Sequence, residues 1–319
     1  MRAPQPGTLI LALGGTISLS IVDGTATPTE NIDNIAATLD HDSSKWKVVT
    51  RTFANKNSSA ITIEDIIRLC QTINDARSEY SSFVVTTGTD TLEEVAFGLD
   101  LLLGKVTTIA VTGAMRPPYA SDFDGPASLH AAIEHCQKPW PENAGVFVVM
   151  GGSAIPAHLA HKRSTSRLDA FVSTKVEFET EEFDLTASKD RALPLLGEKL
   201  LPSQSWKAVD IPIVGLSVSP ALNAKRYADA DGLVIACPGA CSMAPETRLE
   251  MSKTLVPVMP VALVSRCEDG HADVSAHYPG YIEELESLGF KVREFHGLRP
   301  EKARLKLAFE LMSQSIETS

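Results

Sequence analysis

The 319-residue sequence has no apolar run approaching the ~20 residues that a membrane-spanning helix requires. It has no Lys/Arg cluster either. Lysine and arginine number 29 against 40 aspartates and glutamates, giving a net charge of −11 and a pI near 5.2. Nucleic acids and anionic membrane surfaces are bound through basic patches, so neither is an expected partner. The motifs G-x-x-x-x-G-K-[ST] and G-x-G-x-x-G are missing, which leaves nucleotide binding without support. The five cysteines, Cys70, Cys136, Cys237, Cys241 and Cys267, are odd in number, and two fall inside helical patterns, so they form no disulfide framework. Cys237 and Cys241 make a C-x3-C pair, but no second Cys or His pair completes a zinc site, and both read as small buried thiols on a strand and turn. "SDFDG" (121–125) resembles the start of a calcium loop, yet Ala131 and Ala132 stand where its later acidic ligands belong.

What is present is ordinary for a globular enzyme: 44% hydrophobic and 22% charged residues, at a length that suggests two domains. Short apolar runs alternate with helical periodicities. Strands are expected at 8–13, 82–87, 107–112 and 145–150, and helices at 62–73, 91–103 and 125–136. Thr62 with Asp65, and Thr91 with Glu94, have capping-box spacing. This alternation predicts βαβ units and a parallel sheet. The first run carries one positive charge upstream and flows into Gly14-Gly15 without an A-x-A-like cleavage site, so it reads as the first strand and the expected compartment is the cytoplasm. Residues 18–33, rich in Thr and broken by Gly24 and Pro28, read as a long loop and a candidate lid. The pattern weakens between about 175 and 210, where a linker or peripheral hairpin fits. Beyond it, strands at 211–218, 232–237 and 260–265 and helices at 280–289 and 300–314 predict a smaller α/β domain. The expected organisation is an N-terminal catalytic domain (1–190), a linker (191–210) and a C-terminal domain (211–319).

In an open α/β sheet, ligands bind beyond the carboxyl ends of the strands. Two polar clusters fall there: Gly14-Gly15-Thr16, and Thr87-Gly88-Thr89-Asp90. Glycine permits tight turns and close backbone approach, and the helix starting near Thr91 aims free N–H groups at the same spot. Hydroxyl nucleophiles, a carboxylate and backbone donors suit acyl transfer. Each cluster alone also fits a structural role, because Thr and Asp cap helices at such turns. Neither cluster contains a histidine, so a base for a threonine nucleophile must come from elsewhere, and a desolvated lysine is one option. Lys162, in "HLAHKRSTSRLDAF", is available but would by default stand in a solvated face beside Arg163. His158 and His161 have helical i, i+3 spacing and read as surface residues without a third ligand.

Taken together, "LGGTIS" (13–18), "TTGTDTLEE" (86–94), "VTGAMRP" (111–117), "SDFDGPASLHAA" (121–132) and Lys162 closely resemble the bacterial-type L-asparaginase/glutaminase family in order and spacing. "DGLVIACPGAC" (231–241), "VSRCEDG" (264–270) and "LRPEKARLKL" (298–307) resemble its C-terminal motifs. The resemblance implies a flavodoxin- or Rossmann-like three-layer N-terminal domain, a smaller C-terminal α/β domain, and hydrolysis of a side-chain carboxamide to carboxylate and ammonia. It implies Thr16 as nucleophile, with Thr89, Asp90 and Lys162 as a supporting triad. Ser58 would bind the substrate α-carboxylate, with Ser59, Gly88 and Ala114 beside it. It also implies a homodimer or homotetramer whose neighbouring subunit contributes at Ser242, and no cofactor or metal. The alternative is a non-catalytic small-molecule binding or regulatory protein on the same scaffold. Three positions depart from the family pattern: residues 18–33 contain no tyrosine, Ser59 replaces a Gln or Glu, and the turn at Ser242 contains no asparagine. Two of these losses fall on recognition of the substrate α-ammonium, so the expected substrate is L-asparagine or a related amide with a modified amino group.

Overall fold

The computed structural model describes residues 5–23, 25–28, 32–37, 46–140, 144–174, 193–218, 223–268 and 278–317. The chain divides into two compact units, one of Met1–Ser173 with Ala192–Pro202, the other of Thr174–Arg191 with Ser203–Ser319.

In the N-terminal unit, β1 (Gln5–Gly14) leads through a 3-10 turn (Thr16–Ser18) into a hairpin of β2 (Leu19–Val22) and β3 (Thr25–Pro28). There follow α1 (Ile32–Ala37), β4 (Lys47–Lys56), α2 (Ile63–Ala76), β5 (Tyr80–Thr86), α3 (Leu92–Leu103), β6 (Thr108–Thr112), α4 (Gly125–Gln137), β7 (Val146–Met150) and β8 (Ser153–Pro156). A hairpin of β9 (Ala160–Lys162) and β10 (Phe171–Ser173) and the helix α5 (Leu193–Leu200) complete the unit. The main sheet has the order β4-β1-β5-β6-β7-β8. Its first five strands are parallel, and β8 closes the edge antiparallel to β7. The central strands are apolar because both faces are covered: Leu9, Ile10 and Leu11 of β1 and Phe83, Val84 and Val85 of β5 are all fully buried.

Counted along the chain, these five strands run second, first, third, fourth, fifth. This is the flavodoxin-like winding, in which the chain reverses direction between β1 and β5 and leaves a crevice at their carboxyl ends. The α/β class and the parallel sheet expected from sequence are what is seen.

Several segments differ from their expected form. The stretch at 18–33 is largely the β2–β3 hairpin rather than an open loop, with Leu19 paired to Pro28 and Val22 to Thr25. Asp23 turns it at φ 51, a left-handed value that aspartate tolerates. Residues 191–210, expected as a linker, contain α5, which packs on α3 so closely that a Cβ on Gly197 would lie 2.1 Å from the Leu102 carbonyl oxygen. The hairpin reading of the acidic stretch before it lies outside the described residues.

The C-terminal unit holds β11 (Ile213–Gly215), β12 (Leu233–Cys237), α6 (Pro245–Thr254), β13 (Val261–Ser265), α7 (Tyr281–Ser287) and α8 (Pro300–Glu317). Its three strands are parallel in the order β11-β12-β13 over a core that includes Leu233, Ile235, Leu263, Leu285 and Phe290. Cys237 and Cys241 are fully buried there, on the end of β12 and the turn after it. The hydrogen bond with the neighbouring Cys241 thiol, and then burial, push the Cys237 thiol well above its ordinary range, which makes it an inert structural group.

Candidate active site

Backbone contact assembles the site. Gly14 ends β1 and Gly15 follows it, at φ 103 and 85, values that a side chain disfavours. A Cβ on Gly15 would stand 2.2 Å from the amide nitrogen of Gly88, so the turn after β1 and the turn after β5 touch main chain to main chain. That contact places Thr16 and Thr89 each one residue from a single point. A third loop joins through Gly113, after β6, where a Cβ would lie 2.5 Å from the Thr87 carbonyl oxygen. Ala114 follows it, buried in the core.

The fourth contribution comes from the end of β4. Asn57 caps a 3-10 turn over Ser58–Ala60, its Oδ1 accepting from the Ser59 amide and the Ser59 hydroxyl at 3.0 Å each. Ser58 is buried, and a Cβ on Gly88 would meet its hydroxyl at 2.7 Å. Only glycine at 88 lets that hydroxyl approach. Ser59 is exposed and committed to Asn57. The turn leads into α2, where Thr62 and Asp65 form the expected capping box: Asp65 N–H donates to Thr62 Oγ1 at 3.2 Å, and Thr62 N–H donates to Asp65 Oδ2 at 2.9 Å. Lys56 Nζ reaches the same carboxylate at 2.6 Å. Burial pushes that carboxyl up, but the Lys56 ammonium and the Thr62 amide more than offset it and hold Asp65 below its ordinary value.

The expected Thr91–Glu94 capping box does not form. Thr91 has no side-chain cap bond; its hydroxyl donates instead to the Ser58 carbonyl oxygen at 2.8 Å, tying the β5–α3 turn to the Ser58 turn. The hydroxyl is engaged by a long-range carbonyl rather than by the local amide of Glu94.

Lys162 ends β9. Its Nζ donates to Thr89 Oγ1 at 2.9 Å and to Asp90 Oδ1 at 2.7 Å, across 73 and 72 residues of sequence. Its side chain is 14% exposed and that of Asp90 is 71% exposed, so the pair has a dry end and a wet end. Lys162 is therefore not part of a solvated face. Its backbone amide donates to Glu93 Oε2 at 2.8 Å, and Glu93 is itself buried. Glu93 has no role in the sequence reading, and Thr91 appears there only as a helix cap. A glutamate among the apolar residues of α3, where Leu92, Val95, Ala96 and Phe97 are all buried, was the available signal.

His158 and His161 do not share a helix face; they lie between and on short strands, and His161 is buried. Among the described residues, no group of three His, Cys, Asp or Glu side chains is placed to hold a metal ion. Ser242 belongs to the C-terminal unit, where it is exposed and its amide donates to the Pro238 carbonyl at 3.0 Å. A small cavity in that unit, lined by Thr174, Ser265, Cys267, Glu268 and Arg299, contains none of the residues above. Among the described residues, no helix is long and apolar enough to cross a membrane.

Comparison with known proteins places the chain in a family. The family model described as "Asparaginase, N-terminal" matches residues 8–184, more than half of the chain. L-asparaginase 2 of Bacillus subtilis is 30% identical over 181 residues, covering 54% of this chain and 48% of that protein. The first relatives are thus matched over about half of their own length or less. A probable L-asparaginase of Deinococcus radiodurans is 30% identical over 257 residues, covering 79% of this chain and 78% of that protein. Among solved structures, a probable cytoplasmic L-asparaginase from Campylobacter jejuni superposes with a TM-score of 0.75 at 25% identity, covering 98% of each chain. The L-asparaginase from Thermococcus kodakarensis shares the fold with a TM-score of 0.73 at 21% identity. A family match over residues 8–184, which takes in Thr16, Thr89, Asp90 and Lys162, and a relative aligned along most of the chain lead to one conclusion: the chain belongs to the asparaginase family.

Proposed function

We propose that the protein hydrolyses a side-chain carboxamide to carboxylate and ammonia through a threonyl ester. The observation that supports this reading is the Lys162 amine 2.9 Å from Thr89 and 2.7 Å from Asp90, in the turn whose Gly88 backbone meets Gly15, the residue before Thr16. Threonine is a poor nucleophile until a base takes its proton. In this scheme Thr16 Oγ1 attacks the amide carbonyl carbon, and its proton passes to the amide nitrogen, which leaves as ammonia. Water then cleaves the ester and regenerates the hydroxyl. Thr89 and Lys162 form the proton-handling pair, with Asp90 orienting the amine. Main-chain N–H groups of the two glycine turns are the candidate donors for the tetrahedral oxyanion. The scheme requires no metal or cofactor.

The substrate is proposed as L-asparagine or a related amide. Ser58 is buried beside Gly88 and serves the α-carboxylate. Ser59 supplies no carboxylate for an α-ammonium, and its hydroxyl is engaged by Asn57. Asp90 Oδ1 is already paired with Lys162. Losing a partner for a charged group costs about 1–3 kcal/mol, so a free ammonium is poorly selected and an amide with a modified amino group is accepted. A cytoplasmic homodimer or homotetramer, with Ser242 offered to a neighbouring subunit, completes the proposal; the C. jejuni relative carries the cytoplasmic label in its name.

Ammonia release measured with L-Asn, D-Asn, L-Gln and N-acylated asparagine, beside Thr16→Ala, tests the reading. The expected result is turnover of at least one amide, abolished in Thr16→Ala, with N-acylated asparagine competing well against free L-Asn. Silence of the wild type on every amide, with a ligand still raising its melting temperature, turns the assignment to a binding protein. Tight, selective use of free L-Asn removes the substrate proposal alone.

A further inference from the structure

We infer that Glu93 is a positioning residue for Lys162, fixing the strand that carries the amine rather than touching substrate; the inference rests on the amidohydrolase reading for its kinetic consequence. Glu93 lies in the first turn of α3 and is 9% exposed. An acidic residue in that turn favours the helix dipole, but Glu94 supplies the same charge from a more exposed position. Burying a carboxylate is costly unless it is paired or hydrogen-bonded, so the burial of Glu93 points to a specific acceptor role.

The acceptor contact is Glu93 Oε2 with the amide of Lys162, at 2.8 Å and 69 residues away. β9 pairs with β10 through Lys162 and Phe171, and the next amide, of Arg163, bonds to the Ala170 carbonyl at 2.8 Å. The Lys162 amide instead goes to a side chain of α3. Meanwhile Nζ of the same lysine reaches Thr89 and Asp90. One five-residue segment, 89–93, therefore grips Lys162 at both ends. A three-residue strand such as β9 has little pairing of its own to hold register. Without the Glu93 acceptor, the backbone nitrogen of Lys162 has no fixed distance from the hydroxyl and carboxylate that its amine addresses.

Three variants of the full chain test this. Glu93→Gln keeps an oxygen acceptor of the same shape, Glu93→Met keeps length without an acceptor, and Glu93→Asp keeps the charge but draws it back by one methylene. Three readouts are taken: melting temperature, kcat and KM from ammonia release, and acetylation of Lys162 by an amine-reactive reagent followed by peptide mass spectrometry. Displacement by about 1 Å costs on the order of 100-fold in a positioned reaction. Glu93→Met is therefore expected to lose kcat on that scale with KM little changed, and to show several-fold faster labelling of Lys162. Glu93→Gln should stay close to wild type in both. A folded Glu93→Met with wild-type kcat and labelling overturns the inference, as does a Glu93→Gln that falls as far as Glu93→Met. If Glu93→Met does not fold, Glu93→Asp decides: reduced kcat with faster labelling supports the role, and wild-type values overturn it. If the wild type hydrolyses no carboxamide, the amidohydrolase reading fails separately, and the labelling rates alone decide the positioning role, with equal rates overturning it.

Discussion

The two units are both parallel α/β structures, yet among the described residues a convergent set of polar side chains is seen in the N-terminal one. The difference lies in winding. In the N-terminal sheet the chain goes from β1 to β4 on one side, then returns to β5 on the other. The connections leaving β1 and β5 diverge, and a crevice opens between them. In the C-terminal sheet, the described strands β11, β12 and β13 follow one another in chain order without such a reversal. Its strand ends are used to tie loops together. Arg266 N–H donates to the Cys237 carbonyl at 2.9 Å and its guanidinium to the Leu216 carbonyl at 3.1 Å, while the Tyr281 hydroxyl bridges the Cys241 carbonyl and the Met243 amide at 3.1 and 3.2 Å. The same layered architecture gathers polar side chains at a reversal and braces loops elsewhere.

The hardest test of that contrast is a paired substitution. Lys162→Met should lower kcat by about 10²–10⁴-fold, the usual worth of a positioned proton carrier, with a melting temperature near wild type. Arg266→Met should do the opposite: a stability loss of about 1–2 kcal/mol with kcat within a few-fold of wild type. Equal kcat losses in steady-state assays would erase the distinction.

The glycines provide a second pair. Gly15→Ala forces a Cβ to 2.2 Å from the Gly88 nitrogen at φ 85, whereas Gly239→Ala, at φ 51, meets nothing within 4 Å. Chemical denaturation should show a loss of about 2–4 kcal/mol for the first, from overpacking plus backbone strain, and about 1 kcal/mol for the second.

Acid sensitivity has a specific source in the N-terminal unit. His135 is 3% exposed between the rings of Trp140 and Phe147, and among the described residues neither of its ring nitrogens has a hydrogen-bond partner. Burial, with the Lys138 charge adding to it, lowers its pKa to about 4. The unfolded chain binds a proton at about 6.5 while the folded chain does not, so stability is complete above that pH and falls as pH drops toward 4. Linkage sets the loss on the order of 2 kcal/mol after allowing for solvent screening. His135→Phe should flatten that part of the stability–pH curve, measured by urea unfolding between pH 7 and 4.5.

The smallest effect expected is that of Thr91→Val, which removes the 2.8 Å bond to the Ser58 carbonyl. It should cost about 1 kcal/mol and appear mainly as a raised KM, because Ser58 is the residue released. An unchanged KM would separate the Ser58 turn from substrate binding.

How much of this could be read from sequence depended on where each signal is stored. The central strands were legible because burial on both faces leaves uninterrupted apolar runs, as at Leu9–Leu13 and Phe83–Val85. The Thr62–Asp65 box was legible because its partners are three residues apart. β4 escaped notice because it is an edge strand, half-exposed along its length, with Lys47, Arg51 and Lys56 interrupting its apolar positions. α6 escaped because only Thr247 and Met251 of its ten residues are buried, too few to mark a face. The β2–β3 hairpin was hidden by threonine, glycine and proline, which serve turns and edge strands alike. At the site, Thr89 and Asp90 stood out as surplus to their turn. The burial of Lys162, by contrast, depends on α3 and on pairing with β10, neither of which leaves a trace near position 162.

The central position of β1 also sets an order of events during synthesis. β1 is made first but is the strand most dependent on later ones: it pairs with β4 on one side and β5 on the other, and Gly7 meets Ser81 only after 74 further residues. At about 5–20 residues per second, a ribosome takes roughly 4–15 seconds to supply them. Until β4 is made, the apolar run Leu9–Leu13 has both hydrogen-bonding edges open, and until β5 follows it still has one open. Slowing translation between codons 15 and 80 should therefore lower the soluble yield more than slowing it anywhere downstream.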